Sequence, residues 1–464
     1  MTSISPLALF LAPASLATLG LLLVPEGGAS PSAEGPVPAT APRLVQTEEV
    51  AQEEATAEEA ERVPILKAGD QKKLVKSLRE YFEAKDKDRK VLDAQEEFTD
   101  LVTSLHKRLE PNALIKNMVD FEQACLLAGG DYKDNVKSKG KVVEQDFTGV
   151  WDDTIAYSVH APKEYKVKDG PWPCVLVIPD GSVDLANSLQ EEWVGSAMAK
   201  NAIVAVVGMP ADPEAWNQWG EAGSDREPGT PGGIASTFQV LRELKSNYFI
   251  DPNRTILLGH GQGTAPTVDI AARFPHLFSS VVLISGDPGD TPAVNFSNLP
   301  TYIVSGGGGT TVFQDQIKEL GYDNSVFESK VDMDAMWTWA MEHPRNPIPD
   351  RIVYSPLAKF AGTAYWLRVS GFSLEAGSQI EAKVDRANNL IEIAGEGFFD
   401  IEISYNDRLL DLDRPVRVVI NGIEHESELK RSIVGMVNRF YNANDPMRLS
   451  VASATYAFKE AASE

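Results

Sequence analysis

The sequence is poor in the residues that bind metals and form cross-links. Its 464 residues include only two cysteines, Cys125 and Cys174, and six histidines. No CxxC or HExxH pattern occurs, so we expect neither a metal site nor a cofactor. Two cysteines can form one disulfide in an oxidising compartment or remain as two buried thiols, and the sequence leaves both alternatives open.

Basic residues are also scarce relative to acidic ones. Lysine and arginine together number 43, against 67 aspartates and glutamates, and the formal net charge is −24. A negative field of this size repels phosphate backbones and anionic lipids. We therefore expect no nucleic-acid partner and no membrane contact beyond a retained N-terminal anchor. The composition does not identify a protein partner.

The N-terminal residues 1–29 predict a signal peptide. No charged residue precedes Glu26, an apolar stretch ends at Pro25, and small residues follow at a suitable cleavage position. This pattern is typical of secretory signals, although the basic start is missing. The alternative is a retained membrane anchor, which Pro6 and Pro13 disfavour. We expect a secreted, periplasmic or cell-envelope protein.

Two further segments precede the main apolar region. Residues 30–62 are rich in Ala, Pro and Glu and contain too few large apolar side chains to fold, so they predict a disordered linker. Residues 63–135 predict a helical region that packs on the domain following it, with a coiled coil formed with a partner as the alternative. Its apolar residues recur at intervals of three and four, which places them on one face of each helix: Leu74, Leu78, Tyr81, Phe82, Phe98, Leu101, Val102, Leu105 and Leu109.

Residues 140–347 alternate short apolar runs with amphipathic stretches. Continuous β-branched and aliphatic runs are typical of parallel strands that are covered on both faces. With helix-like segments between them, they predict a doubly wound, mostly parallel α/β sheet. The five runs are Cys174–Asp180, Ala202–Pro210, Thr255–Gly261, Ser280–Asp287 and Thr301–Gly307.

Residues 350–460 have a different pattern. Apolar and polar residues alternate at period two, and Asn, Asp and Gly interrupt them. This predicts a small all-β, sandwich-like domain. The stretches "DRANN" (385–389) and "NDR" (406–408) are interpreted as hairpin turns.

One short motif points to a known fold. Gly259, His260, Gly261, Gln262 and Gly263 lie between a predicted strand and a predicted helix, and "GHGQG" resembles the G-x-S-x-G nucleophile elbow. The flanking stretches "YSVHAPKEY", "PCVLVIPDG" and "ARFPHLFSSVVLISGD" follow in the matching order. Roughly residues 150–345 are therefore similar to the α/β-hydrolase superfamily, in particular to dienelactone-hydrolase-like and prolyl-oligopeptidase-like secreted esterases.

The resemblance implies a catalytic triad, but the matching positions do not supply one. Gly261 occupies the nucleophile position and has no side chain to attack a carbonyl. The usual acid position, in 303–311, has no carboxylate, so Asp287 and Asp290 are the remaining acid candidates. The expected histidine position reads Asp332–Asp334, and His343 comes later. We therefore predict a degenerate site with no intact catalytic residue.

The same cleft contains candidate ligand-binding residues. The backbone N–H of Gln262 corresponds to an oxyanion donor, and Asp180, Gly181 and Ser182 follow the strand that carries the other donor. The sequence places no histidine near Ser182, which disfavours Ser182 as a relocated nucleophile. His260 is a candidate for a displaced base, but the resemblance implies a supporting role for it. Trp216 and Trp219 either roof a cleft for a small-molecule, carbohydrate or peptide ligand or are buried in a loop.

Three functions remain open after these observations. The leading hypothesis is an exported, catalytically inactive α/β-hydrolase-fold protein that acts as a binding or scaffold protein. The second is an active serine-type esterase or peptidase with relocated catalytic residues. The third is a structural protein of the cell envelope. A fold resemblance alone does not establish activity.

Overall fold

The structure is a computed structural model that describes residues 62–149, 154–181, 183–218, 232–304, 308–358, 362–372 and 377–458. The predicted signal peptide, nearly all of the predicted linker, Ser182 and Trp219 lie outside the described residues. None of the helices within these ranges is long and apolar enough to span a membrane.

The N-terminal region is helical, with α1 at Ala68–Asp86, α2 at Val91–His106, α3 at Ala113–Asn117 and α4 at Val119–Ala128. The apolar faces predicted for α1 and α2 are largely buried, with Leu101 and Leu109 at their half-exposed margins. We expected these helices to pack on the α/β region that follows them. Their apolar faces share one buried core with the C-terminal residues, whereas the end of the predicted helical region contacts the α/β region: the Asp131 N–H donates to the carbonyl oxygen of Ser246 at 3.0 Å, and the Tyr132 and Phe249 rings lie 5.1 Å apart.

The central region forms an eight-stranded sheet in the order β1-β2-β4-β3-β5-β6-β7-β8. β1 and β2 are antiparallel to their neighbours, and the remaining pairs are parallel. The strands are β1 (Val142–Thr148), β2 (Thr154–His160), β3 (Trp172–Ile178), β4 (Ile203–Val207), β5 (Ile250–His260), β6 (Ser280–Ile284), β7 (Thr301–Val304) and β8 (Ser325–Glu328).

Helices cover both faces of this sheet. They are α5 (Leu185–Ser188), α6 (Ala197–Asn201), α7 (Gly233–Asn247), α8 (Thr264–Arg273), α9 (Gly308–Glu319) and α10 (Met333–Glu342). Apolar residues of α7, α8 and α9 share one core, and those of α6 and α10 share the other. The doubly wound, mostly parallel sheet predicted from the sequence is therefore confirmed.

Two smaller sheets form the C-terminal β region, in the orders β10-β11-β14-β17 and β16-β15-β13-β12-β9. The strands are β9 (Arg351–Tyr354), β10 (Thr363–Ala364), β11 (Leu367–Ser370), β12 (Gln379–Asp385), β13 (Leu390–Glu396), β14 (Asp400–Tyr405), β15 (Val416–Ile420), β16 (Ile423–Ser427) and β17 (Ala452–Ala457), and α11 spans Ile433–Ala443. The N-terminal helices meet this region at α11, where the Phe82 and Phe440 rings lie 5.6 Å apart.

Of the two predicted hairpins, only the first forms. β12 and β13 pair antiparallel across residues 386–389. After β14, however, the chain crosses to β15 in the other sheet, so residues 406–408 do not join paired strands. The side chain of Asn406 closes this turn locally, because its Oδ1 accepts hydrogen bonds from the backbone N–H groups of Arg408 and Leu409.

A buried ion pair joins the α/β region to the C-terminal region. Arg345 donates two hydrogen bonds to Asp445, at 2.6 and 2.8 Å, and both side chains are only 2% exposed. Arg345 also donates to the carbonyl oxygen of His276 at 2.6 Å. The two cysteines lie in different apolar cores as free, buried thiols, so the disulfide that the sequence left open does not form.

Candidate functional site

The candidate site lies at the carboxyl ends of three adjacent central strands, β3, β5 and β6. In the parallel register, Ile178 of β3 aligns with Gly259 of β5, and His260 of β5 aligns with Ile284 of β6. The residues that follow these strands therefore meet at one edge of the sheet, where ligands bind in open α/β folds.

The elbow geometry is present at the end of β5. The chain leaves the strand at His260, makes one 3₁₀ turn over Gly261–Gly263 and enters α8 at Thr264. Gly261 has φ = +53°, in the left-handed region that favours glycine. A Cβ atom on Gly263 would lie 2.6 Å from the carbonyl oxygen of Pro179, so the close approach of the turn to β3 requires glycine here.

The carboxylate of Asp180 fills the space in which a nucleophile side chain would lie. A Cβ atom on Gly261 would be 2.6 Å from Asp180 Oδ2, and nearer still to Cγ and Oδ1. The backbone N–H of Gln262 donates a hydrogen bond of 2.8 Å to Asp180 Oδ1. This N–H is the oxyanion donor implied by the resemblance. The backbone donor is therefore present, but its hydrogen bond is already accepted by the Asp180 carboxylate.

A cavity of about 510 Å³ opens beside the elbow. Its charged lining residues, within the part of the chain that the structure describes, are Asp180 and Asp287, and no histidine, lysine or arginine lines it there. Trp216 also lines this cavity, but its side chain is only 2% exposed and its Nε1 donates to the carbonyl oxygen of Pro210. Trp216 therefore forms part of the wall.

The loop after β6 supplies the opposite wall. Asp287 lines the cavity, and its Oδ1 accepts a hydrogen bond of 2.9 Å from the backbone N–H of Gly289. Its carboxylate also packs against Gly309 in the first turn of α9. Asp290, the second acid candidate, is exposed in the same loop and is not among the residues that line the cavity.

Sequence reasoning missed Ser285, which lies directly after β6 and also lines the cavity. It has φ = +55°, a backbone conformation that non-glycine residues rarely adopt. The signal in the sequence was the small pair Ser285–Gly286 directly after an apolar strand. Glycine is needed at the second position, because a Cβ atom on Gly286 would collide with the carbonyl oxygen of Gly261 and with Oγ1 of Thr264.

The two histidines nearest the expected catalytic positions have other contacts. His260 Nδ1 lies 3.1 Å from Glu192 Oε2, and its ring meets the Trp193 ring edge-on. His343 follows α10, its Nδ1 lies 2.7 Å from the carbonyl oxygen of Trp339, and the two rings are 4.6 Å apart. Neither histidine is among the described residues that line the cavity.

Asp332 and two further histidines of this region are also used structurally. Asp332, which lies in the segment where the histidine was expected, accepts hydrogen bonds from the backbone N–H groups of Asp334 and Ala335 and so begins α10. His160 lies in β2, and burial lowers its pKa. His276 is buried beside Tyr365, and burial first and then the Arg448 charge lower its pKa well below its usual value.

These placements define what the described site can do chemically. It offers one backbone donor that is already bound, two carboxylates, the hydroxyl of Ser285 and the side-chain amides of Asn217 and Gln262, but its lining contains no imidazole that could accept a nucleophile's proton. Within the described ranges, no group of three or more His, Cys, Asp or Glu side chains is arranged to hold a metal ion.

Comparisons with known proteins match the chain only at the level of fold. No protein family and no curated protein matches the sequence. A thermostable esterase is 18% identical, with a TM-score of 0.34, over 45% of this chain and 64% of that one, which is less than two thirds of it. An S-formylglutathione hydrolase from Agrobacterium tumefaciens is 16% identical, with a TM-score of 0.35, over 46% of this chain and 98% of that one.

A ferulic acid esterase from Anaeromyces mucronatus is 14% identical, with a TM-score of 0.32, over 46% of this chain and 92% of that one. Because these similarities are low, the fold assignment depends on the chain's own strand order and elbow. The parallel sheet with an antiparallel edge, the helices on both faces and the glycine elbow after β5 give this chain an α/β-hydrolase fold.

Proposed function

We propose that this protein is a catalytically inactive member of the α/β-hydrolase fold that binds a ligand in the cleft beside Gly261. The observation that carries the proposal is the Asp180 carboxylate, which occupies the nucleophile space and accepts the Gln262 N–H at 2.8 Å. A hydrolase needs that space for a nucleophile and that N–H for the developing oxyanion.

The missing nucleophile is not the only feature of the cleft that opposes catalysis. Enzymes that lose a triad member retain about 10³- to 10⁴-fold acceleration over water, because the oxyanion hole and substrate binding still act. Here the Gln262 N–H is bound to a carboxylate whose negative charge repels a second oxyanion. Even this residual acceleration is therefore expected to be lost.

We also propose that the protein is exported and acts in the secreted, periplasmic or cell-envelope compartment as a binding or scaffold protein. The uncharged apolar stretch before Glu26 supports export. The cavity of about 510 Å³ supports binding, because it lies within the size range of small-molecule sites.

The proposal is tested with a short-chain p-nitrophenyl ester and a fluorophosphonate probe. The purified full-length protein is compared with Gly261→Ser and with the double variant Gly261→Ser/Asp180→Ala, and circular dichroism checks that all three are folded. We expect neither turnover nor labelling in any of them, because no imidazole lines the described cleft. Turnover and labelling of the unsubstituted protein would instead mean that the catalytic residues have moved.

A further inference from the structure

We infer that Asp180 sets the charge selectivity of the cleft, so that it accepts a ligand bearing a primary ammonium or guanidinium group and rejects carboxylates. This inference rests on the proposed binding function and names the ligand class of the same cleft. It identifies Asp180 as a specificity-determining residue, whereas the fold alone would lead one to expect a site for acyl groups.

The Asp180 carboxylate lies over the elbow. Asp180 follows β3 by two residues, and the missing side chain of Gly261 lets its carboxylate lie over the elbow. Gly181 then turns the chain at φ = +87°, and a Cβ atom there would approach Gln262 Nε2 to 3.4 Å. The Asp180–Gly181 turn is therefore packed against Gln262.

The two oxygens of the Asp180 carboxylate have different surroundings. Oδ1 accepts the backbone N–H of Gln262 at 2.8 Å. Oδ2 has no hydrogen-bond partner among the described residues, and the side chain is exposed at the cavity wall. One oxygen thus fixes the orientation of the carboxylate, and the other is available to a donor on a ligand.

The charged side chains that line the described part of the cavity are negative. Asp287 lines the same cavity, and no described lining residue carries a positive charge. A ligand ammonium can form a charge-assisted hydrogen bond with Oδ2. A ligand carboxylate meets two negative charges, and Asp180 already occupies the backbone donor that would bind it. The Asp180 carboxylate therefore has two effects: it occupies the backbone donor that would bind an oxyanion, and it makes the cavity favour a cation.

The test uses three probes of similar size: benzylammonium, benzoate and the neutral benzyl alcohol. Calorimetric titration compares the full-length protein with Asp180→Asn, which keeps an oxygen for the Gln262 N–H, and with Asp180→Ala, which frees that N–H. Asp290→Asn is the matched control, because it removes one exposed carboxylate that does not line the cavity.

We expect the unsubstituted protein and the Asp290→Asn control to prefer benzylammonium over benzoate by about tenfold, a modest ratio because Asp180 is exposed and partly screened. Asp180→Asn should lose this preference, and Asp180→Ala should bind benzoate more tightly than the unsubstituted protein does. Raising the salt concentration should reduce the preference.

The outcomes separate the two proposals. If the three probes bind equally well, or if Asp180→Asn leaves the preference unchanged, the charge-selectivity inference is wrong and the binding function stands. If no probe binds to any variant at millimolar concentration, both the binding function and the inference are overturned.

Discussion

The substitution Gly261→Ala tests whether the Asp180 carboxylate occupies the space beside Gly261, because it adds a single methyl group at that point. The new Cβ atom would lie 2.6 Å from Asp180 Oδ2 and nearer to the other carboxylate atoms, so Asp180 must move and lose its bond to the Gln262 N–H. The backbone at φ = +53° adds a cost for any L-residue.

The expected magnitude is the sum of these two costs. A non-glycine residue in the left-handed region costs about 1–2 kcal/mol. A hydrogen bond to a charged group contributes about 1.5–3 kcal/mol, which we reduce to about 1 kcal/mol because Asp180 is exposed. Gly261→Ala should therefore lower the free energy of unfolding by about 2–3 kcal/mol. In an Asp180→Ala background it should cost about 1 kcal/mol less, which is the coupling energy of the pair.

Urea unfolding, followed by circular dichroism, measures these free energies, and Gly321→Ala is the matched control. Gly321 has φ = +71° and no heavy atom within 4 Å of an added Cβ, so its substitution reports the backbone cost alone. If Gly261→Ala costs no more than Gly321→Ala, or costs the same with and without Asp180, the carboxylate does not occupy the elbow.

Three further predictions concern the rest of the molecule. Asp445→Ala should destabilise the protein by about 3–5 kcal/mol in urea unfolding, because it leaves the Arg345 charge buried without its partner; replacing both residues by Leu and Met should cost less than the sum of the single substitutions. Because burial keeps His276 neutral, the unfolded chain binds more protons below about pH 6.5, so stability should fall as the pH decreases through that value, and His276→Gln should make this fall smaller. Burial raises the pKa of both thiols, so Cys125 and Cys174 should react with a thiol reagent only after unfolding, and reaction of either in the folded protein would contradict the structure.

The central sheet was predictable because local sequence determines most of it. Most of the runs at Cys174–Asp180 and Ser280–Asp287 lies in the buried strands β3 and β6, which end at Ile178 and Ile284, and the composition of the runs alone indicates such strands. The spacing of Gly259, Gly261 and Gly263 indicated the elbow, because only small residues allow the strand and the helix to approach so closely.

The long-range contacts were not predictable in this way. The helical pattern around Phe82 predicts an apolar face, but it does not say that this face packs on Phe440 in the C-terminal region. The Arg345–Asp445 pair joins residues 100 positions apart, and no local pattern marks either residue as buried. Hydrophobic periodicity identifies which residues are buried, whereas their partners depend on how the chain returns on itself.

The position of Asp180 was predictable from the sequence, but its hydrogen bond was not. Its place after β3 put it at the same edge of the sheet as the elbow, so its presence in the cleft followed from the fold. Its contact with Gln262, 82 positions away, did not follow, because an aspartate side chain can adopt several rotamers. The absence of a side chain on Gly261 is what allows the observed contact, since a Cβ atom there would collide with the carboxylate.

The glycine and the aspartate therefore have to be considered as one feature. With a serine at position 261, the Asp180 carboxylate would have to leave the elbow, and the Gln262 N–H would be free to bind an acyl oxygen. With glycine at position 261, the Asp180 carboxylate occupies the nucleophile position and accepts the hydrogen bond of the Gln262 N–H. The cleft then presents a negative charge where a hydrolase would stabilise one. A nucleophile restored alone would therefore compete with Asp180, and for this reason the Gly261→Ser variant must be compared with its Asp180→Ala double variant.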